Sequence, residues 1–198
     1  MPLAPMVLDN AYVRLRPFEP ARDGPELYAL AERAPEIFRL WSHRGPGDWV
    51  GEWIEVIRKR TLDGTMIPFA VTRPEDGAFL GITSWLDPSE TSKSVEVGMT
   101  CYAPEAQGTV VNPSAKRLLM GHAFEAWGAR RVQYQVDNRN ERSKAAVLKL
   151  GAKLEGVLRN HKTVSDGFVR DTAFFSIIDR EWPEVKARLD ARIAAAGA

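Results

Sequence analysis

Three stretches of this chain carry residue types at spacings that could do chemistry. Glu96 stands in Ser94-Val95-Glu96-Val97-Gly98-Met99. The alternation sends Val95 and Val97 to one side of a strand and the carboxylate to the other. A carboxylate so placed can take a proton directly or through a water; an exposed strand carboxylate or a structural ion pair would use the same residue. Next, Ala103-Pro104-Glu105-Ala106-Gln107-Gly108 leads out of that strand towards a helix around Pro113. A strand running through a small-residue loop into a helix leaves backbone N–H groups unpaired at the helix N-terminus, a ready anion site. Last, Asp137-Asn138-Arg139-Asn140-Glu141-Arg142-Ser143 follows another strand and opens a second helix. Ser143 brings a hydroxyl to the helix start, and Asn138 suits a turn. Cys101 has no histidine near it in sequence and reads as a packing residue. His43, His122 and His161 are scattered, so no metal site and no histidine-based triad is expected. His122 shares a helix face with Leu118 and Leu119 and reads as a core histidine.

The elements that must hold these residues follow from periodicity and punctuation. Ala11 to Pro17 alternates and predicts a strand, and Pro25 to Phe38 predicts a helix. A loop at Ser42 to Gly47 precedes Asp48, a helix cap. Beyond it Val50, Trp53, Ile54 and Ile57 form one buried helical stripe. Met66 to Arg73 and Phe79 to Leu86 read as a hairpin joined by Pro74-Glu75-Asp76-Gly77, and Ser94 to Tyr102 as a third strand. Pro113 opens a helix whose face carries Ala115, Leu118, Leu119 and Ala123, with Gly128 as its C-cap. Arg131 to Asp137 is a strand and Glu141 to Leu150 a short helix. Lys153 to His161 and Arg170 to Ile178 are two more strands, and a last helix runs from about Glu181. The order β-α-α-β-β-β-α-β-α-β-β-α predicts an α+β fold, a sheet covered by helices.

Bulk properties narrow the function. The 198 residues suffice for one domain with a full core, expected to span 1–198. A content of 44% hydrophobic and 27% charged residues is that of a globular protein, neither disordered nor membrane-embedded. A net charge of +1 singles out neither nucleic acid nor an acidic membrane surface as a partner. One cysteine excludes an internal disulfide and suits a reducing cytoplasm. The Met1-Pro2-Leu3-Ala4-Pro5-Met6 start lacks the pattern of a signal peptide, and no run approaches the length of a membrane span.

Over residues 94–178 the chain resembles the Gcn5-related N-acetyltransferase (GNAT) superfamily, in particular its RimJ/RimL-like branch. The likeness rests on four pieces in order: Val95-Glu96-Val97-Gly98; Ala103-Pro104-Glu105-Ala106-Gln107-Gly108; Asp137 to Ser143 with Leu150-Gly151-Ala152; and Glu155-Gly156-Val157-Leu158-Arg159 followed by Asp166-Gly167, Arg170-Asp171-Thr172 and Ser176-Ile177. Leu15-Arg16-Pro17 agrees more loosely. The resemblance implies a GNAT-like mixed, mostly antiparallel central sheet flanked by helices, with a C-terminal helix. It implies an acceptor-side half at 11–90, an acetyl-CoA-binding half at 91–178 and a C-terminal helix at 179–198. The co-substrate would be acetyl-CoA, with no metal, and the acetyl group would pass directly to an amine in a ternary complex. Homodimers are common among relatives of this kind.

Site roles follow from the same resemblance. Gln107, Gly108 and Thr109 correspond to the loop that holds the CoA pyrophosphate, where Gly108 admits close backbone approach. Val110 stands where the family has a second glycine, which puts the usual loop geometry in question. Asn112, Ser114 and Lys116 could compensate as phosphate donors, with a solvated loop and a surface lysine as the plain alternative. Backbone groups of Met99, Thr100 and Cys101 would line the cofactor and meet the oxyanion. Asn138 and Asn140 would hold the pantetheine arm. Glu96 would be the base. Val147 occupies the place of the usual tyrosine acid, so Ser143 would be its substitute or only a cofactor contact. Around the Gly-Pro-Gly loop Trp41, His43 and Arg44 suit an acceptor, with Trp85 and Arg159 beside them; Trp41 reads equally as a core anchor, and the arginines of the last two strands as a structural Arg–Asp pair. A non-catalytic GNAT-like module that binds CoA or a peptide is the competing expectation.

Overall fold

A computed structural model describes residues 2–41 and 47–196. His43 and Arg44, both expected at the acceptor site, lie outside the described residues. The strands are β1 (Leu8–Asp9), β2 (Arg14–Pro17), β3 (Met66–Thr72), β4 (Phe79–Ser89), β5 (Ser94–Tyr102), β6 (Arg131–Asp137), β7 (Lys153–Thr163) and β8 (Val169–Ile178). The helices are α1 (Pro20–Arg33), α2 (Trp49–Leu62), α3 (Val111–Gly121), α4 (Glu141–Lys149) and α5 (Trp182–Ala196). One eight-stranded sheet runs in the order β1-β2-β3-β4-β5-β6-β8-β7. Every neighbouring pair is antiparallel except β5 and β6. This is the mixed α+β architecture that the sequence predicts.

Several expected boundaries move: β4 runs on to Ser89, the helix expected from Pro113 to a Gly128 cap is Val111–Gly121, and β7 reaches Thr163, while the N-terminal corner changes most. The first strand starts at Arg14 instead of Ala11, because the Asn10 side chain accepts from Tyr12 N (2.9 Å) and Val13 N (3.0 Å) in a tight turn. The first helix starts at Pro20 rather than Pro25, with Pro20 at a position that needs no N–H donor. Pro35 disfavours helical geometry at Ala34, so Pro35–Phe38 forms a separate 3-10 turn. Asp23 fixes this corner: fully buried, it accepts from Glu19 N and from both terminal nitrogens of Arg16, each at 2.8 Å. The Leu15-Arg16-Pro17 signal is thus a scaffold that ties β2 to α1.

The sheet divides the core into two layers. On one side, α3, α4 and α5 pack through Leu119, Val147 and Leu189 against Val95, Val97, Val132, Tyr134 and Phe175. On the other, α1 and α2 pack Leu27, Leu30, Trp53 and Ile57 against Met66, Ala70, Ile82, Leu86 and Cys101. No residue of β6, β7 or β8 belongs to this second layer. That half of the sheet therefore carries side chains, not a helix, over its second face.

Candidate active site

The parallel pair β5–β6 is registered only over Ser94–Glu96 against Arg131–Gln133. Beyond Glu96 the strands have no pairing, so the β6 side of β5 from Val97 onward lacks a strand partner. At the same place β5 bulges. Cys101 pairs with Ile82 and Gly98 with Ser84, so Met99 and Thr100 together oppose Thr83 alone. Met99 takes φ +48°, a left-handed conformation unusual for a residue without a local polar side chain.

Glu96 stands at the mouth of this opening. It is 8% exposed, and its side chain lies on the face away from Val95 and Val97, as the alternation predicts. Burial pushes its carboxyl up to about 7; the charge of Asp87 adds to that rise, while Lys162, Arg60 and Arg170 oppose it. A carboxylate held near neutrality is suited to take a proton from an amine and to release it again.

The anion loop and the second helix start meet across the opening. An Arg142 guanidinium N–H on α4 donates to Gln107 Oε1, and Gln107 Nε2 donates to Tyr102 O at 2.7 Å. Gln107 is therefore a strut between β5 and α4. Gly108 takes φ +76° with nothing within 4 Å of an added Cβ. Thr109 Oγ1 donates to Ala106 O (2.7 Å) and accepts from Val111 N (3.2 Å), closing the turn that precedes α3. Among the described residues, the N–H groups of Gly108, Thr109, Val110 and Asn112 have no acceptor. Val110 sits in the right-handed helical region (φ −67°, ψ −15°), so the missing second glycine imposes no strain. On α4, Asn140 is the N-cap, its Oδ1 accepting from Ser143 N at 3.0 Å, which leaves its amide N–H₂ available. Asn138 N donates to Asp171 O, and its Oδ1 accepts from Lys144 at 3.5 Å. Ser143 is half-buried in the first turn.

Several expected contacts are not where the sequence reading put them. Lys116 is no surface phosphate ligand: it is 4% exposed, and its Nζ donates inward to Thr83 Oγ1 (2.8 Å) and Thr100 Oγ1 (2.7 Å). Ser114 is fully buried, its N–H bonded to Val110 O and its hydroxyl without a partner, so it faces the core and not a phosphate. Trp85 is fully buried between Phe69 and His122, with ring centroids at 5.1 and 5.4 Å, and cannot touch an acceptor. Trp41 is half-buried and packs edge-on against Trp53 (4.3 Å) and Phe38 (5.2 Å), a wall of the helical layer. Arg159 is exposed on the edge strand, beside a cavity of about 910 Å³ that it lines with His161 and Asp171. Asp171 Oδ1 accepts from Asn160 N (2.8 Å), pinning a bulge where Asn160 has φ +51°. Cys101 packs in the α1–α2 layer, and burial pushes its thiol up to about 12, too high for a nucleophile.

A polar face that the sequence reading missed extends from Glu96 across β6, β8 and β7. Glu155 binds Arg131 and accepts from Ser176 Oγ at 2.6 Å. Lys162 donates to Gln135 Oε1 at 3.1 Å. The signal was present in Arg131, Gln133 and Gln135, which alternate with the core residues Val132, Tyr134 and Val136. This polar face adjoins the Glu96 carboxylate, on the half of the sheet that the α1–α2 layer leaves uncovered.

Comparison with known proteins fits this geometry. A family model, the acetyltransferase (GNAT) domain, matches residues 13–153. YdaF of Bacillus subtilis (strain 168), provisionally named a ribosomal N-acetyltransferase, is 30% identical over 107 residues. That match takes in 54% of this chain and 57% of YdaF, so it spans little more than half of the relative's length. The fold superimposes on a GCN5-related N-acetyltransferase from Brucella melitensis with a TM-score of 0.88 at 27% identity, covering 98% of this chain and 87% of that one. It superimposes on Mycobacterium smegmatis RimJ, solved in complex with CoA-disulfide, with a TM-score of 0.78 at 25% identity, covering 98% and 94%. A sheet that opens after Glu96, an unpaired amide loop before α3 and a family match over most of the chain lead to one assignment: the protein belongs to the GNAT acetyltransferase family, in its RimJ/RimL-like branch.

Proposed function

We propose that the protein transfers the acetyl group of acetyl-CoA directly to a primary amine, on a protein N-terminus or a small molecule, with both substrates bound together. The observation that carries this reading is the opening of the β5–β6 pair directly after Glu96, with the unpaired amides of Gly108, Thr109, Val110 and Asn112 beyond its end. Those residues fit the co-substrate, because an exposed loop with four free N–H groups and an open Gly108 can receive a diphosphate. The bound thioester supplies an activated acyl group. Glu96 accepts the proton of the acceptor ammonium, and backbone N–H groups around Met99 and Thr100 meet the negative charge that develops on the carbonyl oxygen. The Asn140 amide and the Asn138 turn hold the pantetheine arm. Ser143 contacts the same arm or donates to the departing sulfur.

In this reading residues 11–90 wall one side of the acceptor site, 91–178 hold the cofactor and also lend the acceptor the polar face of β6–β8, and α5 packs against the core of the same single domain. The acceptor approaches over the polar face of Arg131, Gln133, Gln135 and Lys162, with Arg159 at its margin. A cytoplasmic setting suits the acetyl-CoA requirement and the single buried cysteine; no helix among the described residues is long and apolar enough to cross a membrane. For a homodimer the surface on offer is the edge strand β7, where Leu154 and Leu158 stand 56% and 49% exposed.

Release of free thiol from acetyl-CoA, followed against a panel of small amines and peptides with free N-termini, tests the proposal. Turnover that depends on an amine supports it. Tight CoA binding without turnover on any amine would leave a non-catalytic CoA-binding module instead.

A further inference from the structure

Lys116 is a buried amine that the chemistry above does not use. It projects from α3 between β4 and β5, on the helical stripe of Leu119 and Met120. Its Nζ lies 2.8 Å from Thr83 Oγ1 and 2.7 Å from Thr100 Oγ1, and those two hydroxyls are 2.9 Å from one another. Thr100 Oγ1 in turn donates to Gly98 O at 3.2 Å. The amine thus completes a closed triangle with the one residue of β4 and one of the two residues of β5 that form the bulge.

Burying an ammonium without a carboxylate is costly, by several kcal/mol per ion. Burial alone pulls its proton affinity down to about 7. A second cost sits next to it: the left-handed Met99, a conformation that persists only where the surroundings over-determine it. Two unfavourable features share one set of hydrogen bonds, directly behind the stretch of β5 that has no partner strand. An aliphatic residue at position 116 would remove the first cost and leave the bulge without its support.

We propose that Lys116 is a positioning residue for acyl transfer: its ammonium, anchored on Thr83 and Thr100, fixes the Met99–Thr100 bulge and sets a positive charge behind the open backbone of β5 where the acyl carbonyl is received. The assignment rests on the acetyltransferase reading. It acts on the acyl group through the bulge, so it concerns acetyl-CoA and not the CoA moiety held by the loop before α3.

The test compares Lys116→Met with wild type by calorimetry, using CoA and acetyl-CoA as separate probes, and by amide spectra of the ligand-free protein. The expected result is CoA affinity within roughly twofold of wild type, acetyl-CoA affinity weakened by about fivefold or more, and kcat reduced by about thirtyfold or more, somewhat less than the ~10²–10³ of losing an oxyanion donor outright because the amine acts through the bulge. The amide resonances of Gly98 to Cys101 should shift in the free protein, before any cofactor is added. Equal weakening for both probes, or none for either, would overturn the assignment. Should Lys116→Met fail to fold, Thr83→Val leaves the amine in place and removes one acceptor; it should change the two affinities in the same unequal way, and an unchanged ratio overturns the proposal. Wild-type protein that binds neither probe would refute the acetyltransferase reading and this assignment together. A wild type that turns over beside an unaffected Lys116→Met refutes the assignment alone.

Discussion

Gly98 and Glu96 share one face of β5, and a Cβ built on Gly98 would stand 2.9 Å from Glu96 Oε1 and 2.9 Å from Leu86 Cδ1. The absence of a side chain at position 98 therefore defines where the carboxylate rests. Both crowded atoms are ends of flexible side chains, so Gly98→Ala should be absorbed by moving them. The expected outcome is a fold within about 1 kcal/mol of wild type in stability and turnover at least tenfold lower, because the base is displaced. Thermal melts and steady-state kinetics on one preparation check both halves; wild-type turnover would show that the resting place of Glu96 does not matter.

Glu96 also sets a pH signature. Its carboxyl, held up to about 7 by burial, must be ionised to accept a proton, so kcat should rise on the acid side of pH 7; the Lys116 ammonium gives up its proton in the same range, so the profile should turn down again above it. Glu96→Gln should lower kcat by about a hundredfold or more and abolish that rise, while acetyl-CoA affinity stays near wild type. The sign for stability is opposite. A carboxyl whose folded pKa lies above its unfolded value stabilises the fold at low pH and loses that contribution as pH climbs through about 7. The unfolding free energy of Glu96→Gln should therefore gain on that of wild type between pH 5 and pH 8, by an amount on the order of 3 kcal/mol.

The buried amine of Lys116 predicts a different slope. Burial lowers its pKa from 10.5 to about 7, so the unfolded chain binds more protons between those values and wild-type stability grows with pH there. Relative to Lys116→Met, wild type should be at its weakest near pH 6 and should gain steadily towards pH 10. Paired melts at several pH values read this directly, and parallel curves would mean that the amine titrates as if exposed.

Asn140 is expected to act twice. Its Oδ1 caps α4 through Ser143 N, and its remaining amide protons are offered to the cofactor. Asn140→Asp keeps the cap acceptor but loses the donor, whereas Asn140→Ala loses both. Asn140→Ala should cost about 1 kcal/mol in stability and both variants should weaken CoA. Loss of stability without loss of CoA affinity would confine Asn140 to the cap.

What could be read from the sequence depended on local physics. The bounds of β5 and β6, the β3–β4 hairpin, the Asp48 cap of α2 and the start of α4 are written in short-range alternation, turn residues and caps, and they fall as expected. So does the placement of Glu96 opposite Val95 and Val97. The misplaced residues are those whose surroundings come from distant segments. By type Lys116 reads as a phosphate ligand or a surface lysine, although its spacing to Leu119 and Met120 already sets it on the buried stripe of α3. Trp85 was read as a pocket aromatic, but β4 is a central strand covered on both sides. The open face of β6–β8 depends on which half of the sheet the N-terminal helices cover, and no local pattern carries that information.

The loop from Gly108 to Asn112 is expected to receive the diphosphate of CoA and so to direct the thioester into the β5–β6 opening. A crystal structure of the protein with bound acetyl-CoA measures this directly. Phosphate oxygens should lie within hydrogen-bond distance of the Gly108, Thr109, Val110 or Asn112 amides, and the thioester between β5 and β6 within reach of Glu96 directly or through one water. Cofactor bound elsewhere, or a thioester on the far side of the sheet from Glu96, would contradict it.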